Sequence, residues 1–237
     1  MFIGQTKIIE EMDRHIENAL LHNKPIEHFV FYGPPGLGKT TLVKIVAERL
    51  GVRVLEKIGR ELTPEVLENV LVQLKYRDIL FVDEVHRTKI ATRELLYAPM
   101  QLINNGHLGV MPREIMFQGQ SIKPFSFAGA TTKAGRLEKP LRDRIVLPYE
   151  FLTYDETELC RILSDNNCPP IVRQIIARRA RGIPRIALNY WQRINVAGGN
   201  KKEAEVFFDR WGITQDGFTP NDFDILLYLK VNGPASS

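Results

Sequence analysis

The chain has 237 residues, 44% hydrophobic and 25% charged, with 32 Lys or Arg against 28 Asp or Glu for a net charge of +4. No window approaches the roughly 20 apolar residues of a membrane helix, and the start lacks the basic and apolar regions of a secretory signal, which points to a soluble, cytoplasmic protein with no membrane partner. Two cysteines, Cys160 and Cys168, are too few for a disulfide scaffold and lack zinc spacing, so they read as buried reduced thiols.

Behind Thr6, read as an N-cap, Ile8, Ile9, Met12, Ile16, Ala19 and Leu20 recur at helical spacing. Five short apolar runs follow, at 29–32, 52–58, 79–82, 125–130 and 146–151, and three of the four gaps between them carry a helical pattern. Strands alternating with helices predict an α/β fold with a parallel five-stranded sheet flanked by helices. Within the gaps, Thr63-Pro64 signals a helix start, and the run Thr92 to Ile103 is expected to close at Asn104-Asn105-Gly106. From residue 153 only helices are expected, over 155–163, 170–181, 184–196, 202–211 and 220–231. This divides the chain into a core at 1–152, a helical lid at 153–231 and a linker at 232–237.

Gly33-Pro34-Pro35-Gly36-Leu37-Gly38-Lys39-Thr40 matches G-x-x-x-x-G-K-[ST] between a buried strand and a helix. Glycines let backbone N–H groups turn inward around phosphates, Lys39 places a point charge on the outer phosphates, and the Thr40 hydroxyl suits magnesium, so the expected ligand is ATP with Mg2+. Gly36, Leu37, Gly38 and Thr41 complete the nucleotide-binding set. The strand 79–82 leads into Asp83-Glu84, a Walker B form in which Asp83 holds magnesium and Glu84 acts as general base. Gly129-Ala130-Thr131-Thr132 offers a hydroxyl to the terminal phosphate, while Arg142 and Arg144 follow close behind. Between Arg173 and Lys202 eight Lys or Arg occur and no Asp or Glu, which reads either as a DNA-facing surface or as an ordinary solvated face.

In this order the pieces resemble the AAA+ ATPases, and more closely the RuvB family of Holliday-junction branch-migration motors. The resemblance runs through FIGQ (2–5), FYGPPGLGKTTL (31–42), ILFVDEVHR (79–87), ELLYAPM (94–100), FAGATTKAGRLEKPLRDRI (127–145) and ARRARGIPRIA (177–187). It implies that Thr132 is sensor 1, that Arg144 is an arginine finger reaching a neighbour's ATP, that Arg185 is the sensor 2 arginine, and that Ile3 belongs to the nucleotide pocket. It also implies a hexameric ring acting on branched or duplex DNA, and a hairpin near 108–122 that grips a RuvA-like or helicase-like partner. Val110, Met111, Ile115, Met116 and Phe117 in that segment are either the exposed grip or part of the protein's own core. Departures from the family pattern suggest a divergent, phage-type member: no winged-helix domain is expected after Ser237, residues usually preceding FIGQ are missing, the region 164–170 is shortened, and Asn189-Tyr190-Trp191-Gln192 stands where an arginine-rich run is usual. The competing reading is a helicase-loader or clamp-loader type of switch acting on a protein partner at DNA.

Overall fold

A computed structural model describes residues 2–233, which divide into two compact units, one of Gly4–Leu152 with Phe2 and one running from Thr153 with Ile3. In the first unit the chain order is α1 (Thr6–Leu21), β1 (Phe29–Tyr32), α2 (Lys39–Leu50), β2 (Val54–Ile58), α3 (Pro64–Gln73), β3 (Ile79–Asp83), α4 (Ile90–Leu108), β4 (Ile115–Phe117), β5 (Gln120–Ile122), β6 (Ser126–Thr131), α5 (Lys139–Arg142) and β7 (Leu147–Glu150). The expected parallel sheet is present, in the order β2-β3-β6-β1-β7.

Its central strands are apolar on both faces. Val30, Leu80, Val82 and Phe127 pack with Leu67 and Leu71 of α3 and Leu96, Met100 and Ile103 of α4. Phe29, Phe31 and Phe81 alternate with them along the strands and are equally inaccessible. Each such phenylalanine contributes about 2 kcal/mol through burial, so this sheet is a rigid platform for whatever leaves its ends.

Local signals set most helix starts. Thr63 accepts a hydrogen bond from the Val66 N–H, with Pro64 in the first turn. Two expectations are corrected. The first helix begins at Thr6, and its N-cap is Gln5 in a left-handed conformation (φ 54°), whose side-chain amide donates to the Leu152 carbonyl at 2.7 Å and accepts from the Leu152 N–H. The Asn-Asn-Gly signal does not stop α4, which runs on to Leu108. Tertiary packing overrides it, because buried Gly106 lies against Met111 and Pro112, where a Cβ would sit 2.9 Å from the Met111 sulfur, and Asn104 Nδ2 donates to the Arg144 carbonyl.

The second unit contains α6 (Glu156–Asp165), α7 (Pro170–Arg179), α8 (Pro184–Val196), α9 (Lys201–Arg210) and α10 (Pro220–Asn232). Asp155 and Glu158 form a capping box at α6, as Thr219 and Asp222 do at α10. Leu159, Leu163, Ile176, Ala187, Ile194 and Phe208 make its core. Helix α10 extends to Asn232, the first residue of the expected linker, and the part of that linker at 234–237 lies outside the described residues. None of the helices is long and apolar enough to cross a membrane, among the described residues.

Candidate nucleotide-binding and hydrolysis site

Parallel pairing brings the chemistry to one edge of the sheet. Tyr32 pairs with Thr131, Val82 with Gly129, and Ile58 with Asp83, so Gly33, Glu84 and Thr132 all leave from the carboxyl ends of adjacent strands. The Gly33 N–H donates to the Thr131 carbonyl at 3.2 Å, fastening the loop after β1 to the end of β6.

The loop requires its glycines. Gly33 has φ 135°, and a Cβ there would sit 2.5 Å from the Phe151 carbonyl oxygen. Gly38, with φ 97°, is the N-cap of α2 and provides no side chain to the first-turn N–H groups, which therefore face the loop as donors for an anion. Leu37 anchors the loop in the core. Lys39 is only 8% exposed, and its Nζ lies inside the loop, donating to Gly33 O at 2.8 Å and Pro34 O at 2.7 Å. Thr40 is half-buried and Thr41 exposed at the start of α2.

Across from this loop, β3 carries four buried residues and then Asp83, whose Oδ1 accepts the Glu84 N–H at 2.8 Å. Glu84 is left-handed (φ 52°, ψ 43°) at the start of a short 3-10 turn, and the Arg87 N–H closes on its carbonyl at 2.8 Å. That conformation costs a non-glycine residue about 1 kcal/mol. Buried Gly59, just after β2, permits it: a Cβ on Gly59 would lie 2.5 Å from the Glu84 carbonyl oxygen. The Glu84 carboxylate faces His86 Nε2 at 3.4 Å and Arg87 Nε at 3.6 Å. His86 in turn places Nδ1 2.8 Å from the Thr131 hydroxyl oxygen, which also accepts the Lys133 N–H at 3.0 Å. Burial lowers the His86 pKa, a shift that the Glu84 charge partly opposes.

Thr131 is fully buried and spent on these internal bonds. Thr132 is half-buried, and its hydroxyl makes no hydrogen bond among the described residues. The family likeness singled out Thr132 of the two threonines, whereas His86 and Gly59 were not expected to take part. The available signal was His86 in the turn straight after the strand-end Asp-Glu pair, where a packed imidazole touches the carboxylate.

Arg144 follows α5. Its Nε donates to the Tyr97 carbonyl at 2.9 Å, its Nη1 to the Pro140 carbonyl at 2.8 Å, and the guanidinium lies 4.7 Å from the Tyr97 ring centroid. It is thus held in one orientation by α4 and α5. Arg93, 6% exposed, donates to Glu138 at 2.8 Å and joins the same two helices.

The 108–122 segment divides in two. β4 and β5 form an antiparallel hairpin closed by Gln118 and Gly119, both at positive φ. Ile115 and Phe117 are core residues and Met111 packs against that core, so of the two readings open for this segment these three take that of the protein's own core. Met116 (69% exposed) and Val110 (91%) point outward.

In the acid-free basic stretch several arginines pack on the helical unit's own aromatic rings, while Arg178, Arg181, Arg185, Arg193, Lys201 and Lys202 are exposed. Arg179 lies over the Phe208 ring and Arg193 over Trp211, while Arg181 stacks on Phe218 and pairs with Asp222 at 3.4 Å. Stacking fixes where these guanidinium groups lie and leaves their charge in place, and acids from beyond the stretch pair with Arg178, Arg181 and Lys201. Arg185 is exposed at the start of α8, and Ile3 is half-buried. Burial raises the Cys160 pKa and pushes that of Cys168 up to about 11, so both sulfurs are poor thiolates.

Among the described residues no three His, Cys, Asp or Glu come together as a metal cage. Thr40 and Asp83 instead offer one hydroxyl and one carboxylate, the sparse oxygen set that suits magnesium sharing its coordination with phosphates and water.

Known proteins resemble this chain in sequence and in fold. Residues 1–151 match the family described as "Holliday junction DNA helicase RuvB P-loop domain". The Holliday junction branch migration complex subunit RuvB of Campylobacter hominis is 34% identical over 98% of this chain and 72% of its own length. That of Rickettsia africae is 33% identical with the same coverage. Among solved structures, the Thermotoga maritima RuvB Holliday junction branch migration motor aligns with a TM-score of 0.82 at 30% identity, over 96% of this chain and 76% of its own. A variant of that protein gives 0.85 at 29% identity, over 96% and 77%.

Proposed function

Because the chain belongs to the RuvB family of P-loop ATPases, we propose that it is an ATP-driven motor on branched DNA, hydrolysing ATP at the carboxyl edge of its sheet. The observation that carries this reading is the convergence there of a glycine-framed loop around Lys39, the Asp83-Glu84 pair, and Thr132. The relatives' names attach them to Holliday-junction branch migration, and the chain is taken to share that substrate.

In this reading the α2 N-terminus and Lys39 bind the phosphates, with Lys39 exchanging its two carbonyl partners for phosphate oxygens. Thr40 and Asp83 would hold magnesium, which when bound neutralises charge on the phosphates. Glu84 orients the attacking water and takes its proton, while Thr132 presents a hydroxyl to the terminal phosphate. Ile3 and Arg185 are assigned to nucleotide binding on family likeness alone.

Arg144 is assigned to the ATP of a neighbouring subunit in a hexameric ring. Its fixed guanidinium supports that role, since a preorganised charge stabilises a transferring phosphoryl group without reorganising. The exposure of Val110 and Met116 supports a RuvA-like partner at the 108–122 segment. The test is steady-state ATP hydrolysis per subunit against protein concentration, with and without four-way junction DNA. Specific activity that climbs with concentration and is stimulated by the junction is expected. Turnover that is independent of concentration removes the shared site, and indifference to the junction removes the DNA motor.

A further inference from the structure

The His86 ring is 4% exposed and touches two functional elements at once. Nδ1 meets Thr131 Oγ1 at 2.8 Å, and Nε2 faces Glu84 Oε2 at 3.4 Å. The Lys133 N–H already donates to that hydroxyl oxygen, and a buried hydroxyl must place its own proton on an acceptor. Nδ1 provides the lone pair, which leaves the ring proton on Nε2, directed at the carboxylate. The opposite tautomer would set a lone pair of Nε2 against the negative charge of Glu84.

We propose that His86 is a positioning residue that ties the end of β6, through the Thr131 hydroxyl, to the Glu84 carboxylate. Thr131 adjoins Thr132, so displacement of the strand end by the terminal phosphate is relayed to the base through one imidazole. Glu84 needs such a holder because its backbone is in a sparsely populated conformation and, among the described residues, its carboxylate is otherwise met only by the solvent-facing Arg87. The proposal rests on the ATPase reading.

The experiment combines kinetics with a readout independent of turnover. His86→Phe is expected to lower kcat for ATP about tenfold or more, as loss of an orienting outer partner does, with KM and ADP affinity unchanged. His86→Gln, which retains an N–H donor, recovers part of the loss. Thr131→Val behaves like His86→Phe, Thr131→Ser keeps activity, and the Val and Phe changes combined cost no more than either alone. Wild-type turnover in the His86→Phe protein, or costs that multiply in the double variant, would overturn the proposal.

Nitrogen NMR of histidine-labelled wild-type protein near neutral pH should find His86 protonated at Nε2, and a proton at Nδ1 overturns the tie whether or not the phenylalanine variant folds. Should the wild type not hydrolyse ATP, the ATPase reading fails while the tautomer still decides whether the tie exists.

Discussion

The two edges of the sheet both bury polar groups, and they use them in opposite ways. At the amino edge the side chains of Asp78, His28 and Ser126 are buried and hydrogen-bonded. Asp78, 3% exposed, accepts from the Arg53 N–H at 3.2 Å, from Arg53 Nε at 3.0 Å and from the Lys75 N–H at 2.7 Å. His28 accepts the Phe127 N–H on Nδ1 at 3.0 Å, which leaves Nε2 to donate to the Met100 carbonyl, and the Ser126 hydroxyl donates to Ile26 O at 2.8 Å. At the carboxyl edge Lys39 rests on two loop carbonyls, Glu84 sits in a strained turn facing donors at 3.4 Å and beyond, and Thr132 is half-open. Closed networks confer stability, whereas loosely held charges can be handed to a substrate. Substitutions should therefore separate, costing folding at one edge and turnover at the other.

The largest effect is expected at Lys39. Lys39→Ala should abolish nucleotide binding and turnover while leaving thermal unfolding nearly unchanged, as calorimetry with nucleotide titration would show. A large fall in Tm would break the division between the edges. Next comes Arg144→Ala, whose rings should lose about 10³-fold or more in hydrolysis, by analogy with other P-loop arginine fingers, yet bind ATP normally. Mixing it with a Lys39→Ala protein should restore some activity if the guanidinium serves a neighbour. No rescue would confine Arg144 to its own subunit.

At the amino edge, Asp78→Ala removes a buried carboxylate and takes away the acceptor of the Lys75 and Arg53 backbone N–H groups. A loss of about 3 kcal/mol in denaturant unfolding is expected, with kcat unchanged in the folded fraction. The smallest effect concerns pH. Burial takes the His28 pKa down to about 3 from 6.5. The unfolded chain then binds a proton below about pH 6.5 that the folded chain refuses until about pH 3, so stability is complete above that window and falls as pH drops through it. Between pH 6.5 and pH 5 the loss should be about 2 kcal/mol. His86 and His107, whose pKa values burial also lowers, push in the same direction. A flat profile there would mean that His28 is not the enclosed neutral group described.

Legibility in the sequence followed a different division, between local pattern and tertiary contact. The strands of the sheet and the glycine loop could be read directly, because a run such as 29–32 between turn signals, and Gly38 before Lys39, are local patterns. The true end of α4 could not, since Gly106 continues the helix only because Met111 and Pro112 cover it. The basic stretch left two readings open because a count of arginines does not show that Arg179 and Arg193 lie on Phe208 and Trp211. His86, Gly59 and the separate fates of Thr131 and Thr132 depend on strands brought together from 25 to 45 residues apart. No spacing rule reports such contacts.

The most direct measurement is single-turnover hydrolysis of ATP by the Glu84→Gln protein beside the wild type, at protein concentrations high enough to assemble. A carboxylate that acts as base at the carboxyl edge predicts that the variant binds ATP as tightly and hydrolyses it about 10²-fold or more slowly. Hydrolysis at the wild-type rate would place the chemistry elsewhere and contradict the account.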